Sequence, residues 1–187
     1  YTPAIPTTQP ILKYFIDNGF EVVKRAKLLG VVTEHSKGLC FSGTHGKTTT
    51  SSMCAHILET AGVGCNAFLG GVLRNYNSNF LLSSTSPYSV IEADEFDRSF
   101  HHLTPYIAVV TATDPDHLDI YGTKEAYLES FRHYTTLIQP GGALIIHKNL
   151  EMKADVQPGV KVYDYSRDEG DFHAENIVIE NGEITFD

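Results

Sequence analysis

Residues 37–62 read KGLCFSGTHGKTTTSSMCAHILETAG, and this stretch decides the architecture. Lys37–Ser42 is a short run whose apolar part, Leu39-Cys40-Phe41, runs straight into Gly43, as a buried strand does. From Lys47 to Ala61 the apolar period changes. Cys54, Ile57, Leu58 and Ala61 fall at i, i+3, i+4 and i+7, which predicts a helix with that face inward, stopped by Gly62. Between them lies Gly43-Thr44-His45-Gly46-Lys47-Thr48-Thr49. The long phosphate-loop pattern wants glycine at position 41, which is Phe41, so this is the shortened GxxGKT form. Strand, glycine turn and helix start together aim several backbone N–H groups at one anion. Lys47 then neutralises β- and γ-phosphate oxygens, and the Thr48 hydroxyl offers a ligand to Mg²⁺. His45 either touches phosphate or fills the loop.

Outward from this loop the same alternation continues. Cys65–Leu69, Tyr88–Ala93, Tyr106–Thr111 and Ala143–Ile146 read as further strands. Gly122-Thr123 opens a helix in which Tyr127, Phe131, Tyr134 and Ile138 share a face, ended by Pro140-Gly141-Gly142. Upstream, Tyr1–Pro10 is too rich in proline for a helix or central strand, Ile11–Asn18 is helix-like, and Phe20–Val23 reads as a strand. The tail, Asn176–Glu180, Asn181-Gly182, Glu183–Phe186, predicts a β-hairpin. The fold class expected is α/β: a mainly parallel phosphate-loop sheet with helices on both faces, plus a C-terminal hairpin. The chain starts at Tyr1 rather than Met and ends within a strand, so it reads as processed or as part of something longer.

With 14 Lys+Arg against 23 Asp+Glu the net charge is −9, which argues against nucleic acid or an anionic membrane as partner. No apolar run has the length of a membrane span. Cys40, Cys54 and Cys65 form no CxxC pair and read as buried, reduced thiols of a cytoplasmic protein.

Two polar clusters follow strands. Glu92-Ala93-Asp94-Glu95-Phe96-Asp97 comes after one, and Asp114-Pro115-Asp116-His117-Leu118-Asp119 after the next. Open α/β sheets collect their sites at the carboxyl ends of strands, so Glu92 and His117 are the candidate metal ligands, ahead of Asp94, Glu95, Asp116 and Asp119. Strand alternation sets Glu92 and Asp94 on one side and Glu95 on the other.

Gly43–Thr50, Glu92–Glu95 and Asp116–Asp119, in this order, resemble the Mur ligases of bacterial peptidoglycan synthesis. Thr44-His45 and the Glu-Ala-Asp-Glu run look most like the members that use UDP-N-acetylmuramate and L-alanine. Tyr1–Pro6 resembles the end of the family's N-terminal UDP-binding domain. The resemblance implies that residues 1–33 trail from that domain and that 34–187 are a central ATP-binding domain, with the C-terminal domain of the same chain missing. It implies ATP and Mg²⁺ as cofactors and an acyl-phosphate route to an amide. Lys47 would hold the transferring phosphate, Thr48 and Glu92 one Mg²⁺, and His117 a second, with Gly70-Gly71 as a glycine turn facing the sugar nucleotide. Two positions depart from the family: Ala112 stands where many members have Asn, and Arg132 where several carry a carbamylated lysine. A tripeptide-recycling ligase, a small phosphate-loop kinase or NTPase, and a nucleotide-binding module without turnover are the competing readings.

Overall fold

A computed structural model describes residues 1, 2 and 5–187; the Pro3 part of the proline-rich opening lies outside the described residues. Seven strands form one sheet: β1 (Lys37–Ser42), β2 (Asn66–Leu73), β3 (Ser78–Leu81), β4 (Tyr88–Glu92), β5 (Ile107–Val110), β6 (Ala143–His147) and β7 (Lys161–Tyr165). Their order is β3-β2-β4-β1-β5-β6-β7, parallel throughout except for the β2–β3 pair. β1 is therefore central, with β4 on one side and β5 on the other. The alternation of these strands feeds two cores. Cys40, Ile91, Ala108, Val110 and Leu144 point to one face, and Leu39, Phe41, Val90 and Val109 to the opposite one.

Among the described residues five α-helices accompany the sheet: α1 (Pro10–Asp17), α2 (Arg25–Glu34), α3 (Lys47–Thr60), α4 (Leu118–Tyr121) and α5 (Lys124–Thr136). α5 begins where the sequence predicts, with the Thr123 hydroxyl accepting the Ala126 N–H at 3.1 Å. Its Tyr127, Phe131 and Tyr134 are fully buried, as their spacing predicts, and Phe100 stacks on Tyr134 at 4.8 Å. The hairpin is also present, as β8 (Val178–Glu180) and β9 (Glu183–Thr185). Its turn residues Asn181 and Gly182 take φ of 53° and 81°, which Asn-Gly tolerates best.

Several expectations are corrected. Phe20–Val23 is not a strand; among the described residues the Tyr1 amino group donates to the Val23 carbonyl at 2.9 Å. Pro10, counted among the prolines that exclude a helix, is instead the first residue of α1, where its missing N–H costs nothing. α3 fully buries Ser51 and Ala55, while of the predicted stripe Cys54 and Leu58 are partly buried against the core and Ile57 is 60% exposed. Cys54, Ile57 and Leu58 line an open apolar groove beside Phe41, Val109 and Ile145. Gly70 and Gly71 lie within β2, at a register irregularity, rather than in a turn. α2, β3, β7 and a 3-10 segment at Phe96–His102 have no counterpart in the sequence reading.

Cys40 and Cys65 are buried and Cys54 partly so, all three free. Burial pushes each thiol up, Cys65 to about 12, so none is a thiolate at neutral pH. No described helix is long and apolar enough to cross a membrane.

α2 is held by a buried hydroxyl. Thr33 donates to the Gly30 carbonyl at 2.8 Å and accepts the Thr104 N–H at 3.0 Å. Thr33→Val keeps the shape but leaves the Thr104 N–H unpaired, and should cost about 1–3 kcal/mol. Chemical denaturation checks this; an unchanged midpoint would show that α2 is not fastened there.

Candidate functional site

The tips of β4, β1 and β5 converge on the glycine loop. Gly43 has φ of 132°, and a Cβ there would meet Thr111 Oγ1 at 2.2 Å and the Ala112 backbone nitrogen at 2.8 Å. Only glycine lets the loop lie this close to the end of β5. The loop is then laced to its neighbours. Thr44 N–H donates to the Ala112 carbonyl at 3.0 Å, and the Thr44 hydroxyl donates to the Asp114 carbonyl at 2.7 Å. The same hydroxyl shares a 2.8 Å hydrogen bond with Tyr127. Thr111 donates to the Ser42 carbonyl at 3.0 Å and also reaches the His45 carbonyl. Gly46, at φ of 84°, caps α3. His45, Gly46 and Thr49 are exposed at the mouth of the loop. The result is a helix N-terminus with free N–H groups, opening to solvent and backed by a rigid sheet.

The Glu92 carboxylate closes this mouth from the β4 side. It accepts the Thr48 hydroxyl at 3.0 Å and the Gly70 N–H at 2.8 Å. Gly70 is required by that approach, since a Cβ would lie 2.6 Å from Glu92 Oε1. Gly71 packs on Thr48 in the same way, with 3.0 Å between a hypothetical Cβ and Thr48 Cγ2. Lys47 bends back so that its ammonium donates to the Gly43 carbonyl at 2.7 Å and to Glu95 Oε1 at 2.9 Å. Glu95 is 1% exposed.

The strand alternation expected for the acidic run fails because the chain leaves the extended conformation at Glu95, with φ of −75° and ψ of −19°. Glu92 and Glu95 both turn to the loop. Asp94 is exposed and receives the Phe96 N–H at 3.1 Å, and Asp97 pairs with Lys24 at 2.8 Å. His117 stands apart. It adopts φ of 53° at the start of α4, its N–H donates to Asp116 Oδ1 at 2.7 Å, and its ring meets Phe96 edge-on at 5.3 Å. No hydrogen bond or ion pair joins His117 to Thr48 or Glu92 among the described residues, and no three His, Cys, Asp or Glu side chains converge as a metal cage there. Arg132 is taken up by Glu129 and Asp155 on the surface of α5. The donor set at the loop itself, one hydroxyl and one carboxylate, suits a hard cation that keeps its remaining positions for phosphate and water.

The sequence reading singled out Lys47, Thr48 and Glu92, and these are brought together. It did not find Thr111, nor Tyr127 as a loop contact, nor Glu95 as the partner of Lys47. The three-residue spacing of Glu92 and Glu95 carries the signal for the last, because a turn after the strand returns both to one side.

Residues 41–187 match the family profile of the Mur ligase middle domain. The chain is 67% identical over 187 residues to UDP-N-acetylmuramate–L-alanine ligase of Phocaeicola vulgatus, and 51% over 188 residues to that of Porphyromonas gingivalis. In both cases it is covered completely and spans 41% of the relative's length. Among solved structures it is similar to a Neisseria UDP-N-acetylmuramate:L-alanyl-gamma-D-glutamyl-meso-diaminopimelate ligase. That pair has a TM-score of 0.79 and 25% identity, covering 96% of this chain and 63% of the other. The Thermotoga maritima UDP-N-acetylmuramate-alanine ligase shares the fold, with a TM-score of 0.77 at 22% identity over 94% of this chain and 40% of its own.

Gly70→Ala tests the closed mouth. The added methyl meets the far end of a side chain, so the fold survives but the Glu92 carboxylate has to swing off Thr48. A crystal structure of the variant should show the 3.0 Å Thr48–Glu92 contact broken; an intact contact would mean that Gly70 is not what fixes Glu92.

Proposed function

The chain belongs to the Mur ligase family, through its middle domain, and from that premise we propose that it is the ATP-binding part of an enzyme joining L-alanine to UDP-N-acetylmuramate. The observation that carries the reading is Lys47 and Thr48 at the start of α3, facing Glu92 from the neighbouring strand tip. Residues 1–33 are proposed to trail from an upstream UDP-binding domain. The amine substrate is proposed to come from a C-terminal domain of the full protein, and the enzyme to work in the cytoplasm, where ATP and UDP-linked substrates are found.

The chemistry is carboxylate activation. The lactyl carboxylate oxygen attacks the γ-phosphorus, the bond to the β-phosphate oxygen breaks, and ADP leaves. The alanine amine then attacks the acyl carbon and expels phosphate, losing a proton as the amide forms. The chain's part is positioning and charge neutralisation. Backbone N–H groups from Gly43 to Thr48 cradle the phosphates, with Lys47 as the neutralising cation. Thr48 and Glu92 are the residues that would hold Mg²⁺, which supplies further charge neutralisation when bound. His117 is proposed as a ligand to a second cation, from the loop after β5. Gly70 and Gly71 are proposed to border the sugar nucleotide, on the other side of Glu92.

The tripeptide-recycling reading shares this loop and differs in the amine. An ADP-release assay on the full-length enzyme separates them, with UDP-N-acetylmuramate and each of L-alanine, glycine, L-serine and tripeptide. ADP should appear only with the sugar nucleotide and fastest with L-alanine; release without it would defeat the ligase reading, and a tripeptide preference would move it to the recycling branch.

Lys47→Ala should lower product formation by roughly 10²–10³-fold, the scale of losing one preorganised charge-stabilising donor. Its far-UV spectrum should match wild type, while its thermal midpoint falls because Glu95 is left as an unpaired buried charge. Near-normal turnover would remove the loop from the mechanism.

A further inference from the structure

The Lys47–Glu95 pair is built unlike a surface ion pair. The side chains are 15% and 2% exposed, and the ammonium lies 2.8 Å from Glu95 Oε2 and 2.9 Å from Oε1. Only the second contact has hydrogen-bond geometry, so Oε2 is buried with no hydrogen bond of its own. A carboxylate with about four acceptor positions is thus taken wholly out of water against a single cation. Burying a carboxylate that way is costly unless the cation stays.

The two partners differ in freedom. The Glu95 main chain is pinned, its carbonyl accepting the Tyr121 hydroxyl at 2.5 Å and the Arg98 N–H at 3.0 Å. Lys47 reaches across on a flexible four-carbon stem, and its three N–H bonds are the same ones that a phosphate would use. One is given to Gly43 and one to Glu95.

Resting on the phosphate-loop reading above, we infer that Glu95 is a positioning residue that stands in for phosphate: it competes with phosphate for Lys47 and gives the ammonium up when nucleotide binds. Two consequences follow from the charges. Between turnovers the lysine stays folded back on Gly43 and ready, instead of loose in solvent. The carboxylate also competes with every phosphate that enters, so it weakens nucleotide binding and helps ADP to leave by reclaiming the ammonium.

The test uses the full-length enzyme with ATP and ADP as probes, by calorimetry and thermal melting, and compares wild type, Glu95→Gln and Lys47→Ala. Gln keeps the shape and an acceptor but removes the competing charge. Glu95→Gln should bind ATP and ADP about tenfold tighter, the lower end of coupling between close charge pairs. Its nucleotide-free midpoint should fall while its ATP-induced rise in midpoint grows. A purely structural Glu95 would lower the midpoint without tightening either nucleotide. Binding within twofold of wild type, or weaker, overturns the inference; if Lys47→Ala still weakens ATP binding, the phosphate-loop reading survives that failure. If Lys47→Ala binds ATP like wild type, both fall together. A second measurement needs no variant. In a crystal structure with a non-hydrolysable ATP analogue, Lys47 should have left hydrogen-bond range of Glu95, and an ammonium still on both carboxylate oxygens would overturn the exchange.

Discussion

Everything at this site depends on how closely the turn after β1 can press against the end of β5. Gly43 leaves no room for a side chain against Thr111 and Ala112, and from that contact the position of the first turn of α3 follows. The sheet order supplies the rest. Because β1 lies between β4 and β5, a helix springing from β1 has one neighbouring strand tip on each side. The β5 tip fixes the loop backbone through Thr111 and the Ala112 carbonyl. The β4 tip supplies the carboxylates that meet the first two side chains of the helix. This is a strand-end crevice where the chain connections diverge, the usual place for a ligand in an open α/β sheet.

In a chain of net charge −9, the phosphate site proposed at the loop needs a local source of positive potential. Here it is compact: a helix N-terminus and one ammonium, with Glu92 and Glu95 close by. Two carboxylates beside a phosphate site look self-defeating, and the geometry separates their parts. Glu92 is paired with a hydroxyl and a backbone N–H, donors that a divalent cation can replace or share. Glu95 faces Lys47 and is closed off from solvent, so Lys47 is the group through which it is proposed to act on a nucleotide.

Most parts of the fold that the sequence discloses are apolar and largely buried, whereas the exposed hairpin of β8 and β9 is disclosed by its Asn181-Gly182 turn. β1, β4, β5 and β6 are short apolar runs, and α5 has three large aromatic residues at helical spacing with none to spare. The elements it hides have weaker physical signatures. β7 is an edge strand, half-exposed along its length, and β3 pairs antiparallel at the opposite edge. α2 carries Gly30 in its middle and spreads its apolar residues around the axis, so no stripe shows. α3 misleads for the opposite reason. Its apolar stripe is real, but the helix meets the sheet through the small Ser51 and Ala55, and the stripe borders an open groove. At the site, spacing marks the loop and Glu92, because strand and helix periods locate them. Glu95 is marked only by its three-residue spacing from Glu92, and that spacing can be read only once the chain is known to turn out of the extended conformation at Glu95.

That turn is itself a supported strain. Directly after the acidic run, Asp97 and Arg98 both adopt left-handed backbone angles, with φ of 52° and 54°, and His117 does the same after β5. Such conformations at non-glycine residues cost of order 1–3 kcal/mol each and persist only where the surroundings over-determine them. The polar ties of this turn are of two kinds: the Tyr121 hydroxyl and the Arg98 N–H hold the Glu95 carbonyl, the former in a buried hydrogen bond, while the side-chain tie at Asp97 is exposed. Lys24 and Asp97 are both well solvated, so their ion pair is screened. Packing adds to the restraint of the buried hydrogen bonds on the Glu95 carbonyl. Phe100 and Leu103, a few residues on, are buried in the core with Leu29 of α2, and the Arg98 guanidinium lies over the Tyr121 ring at 4.7 Å. The stretch that aims Glu95 at Lys47 is therefore held by α2 and by the residues around α4. On the α4 side the same surroundings also reach the loop, through the Asp114 carbonyl that accepts the Thr44 hydroxyl.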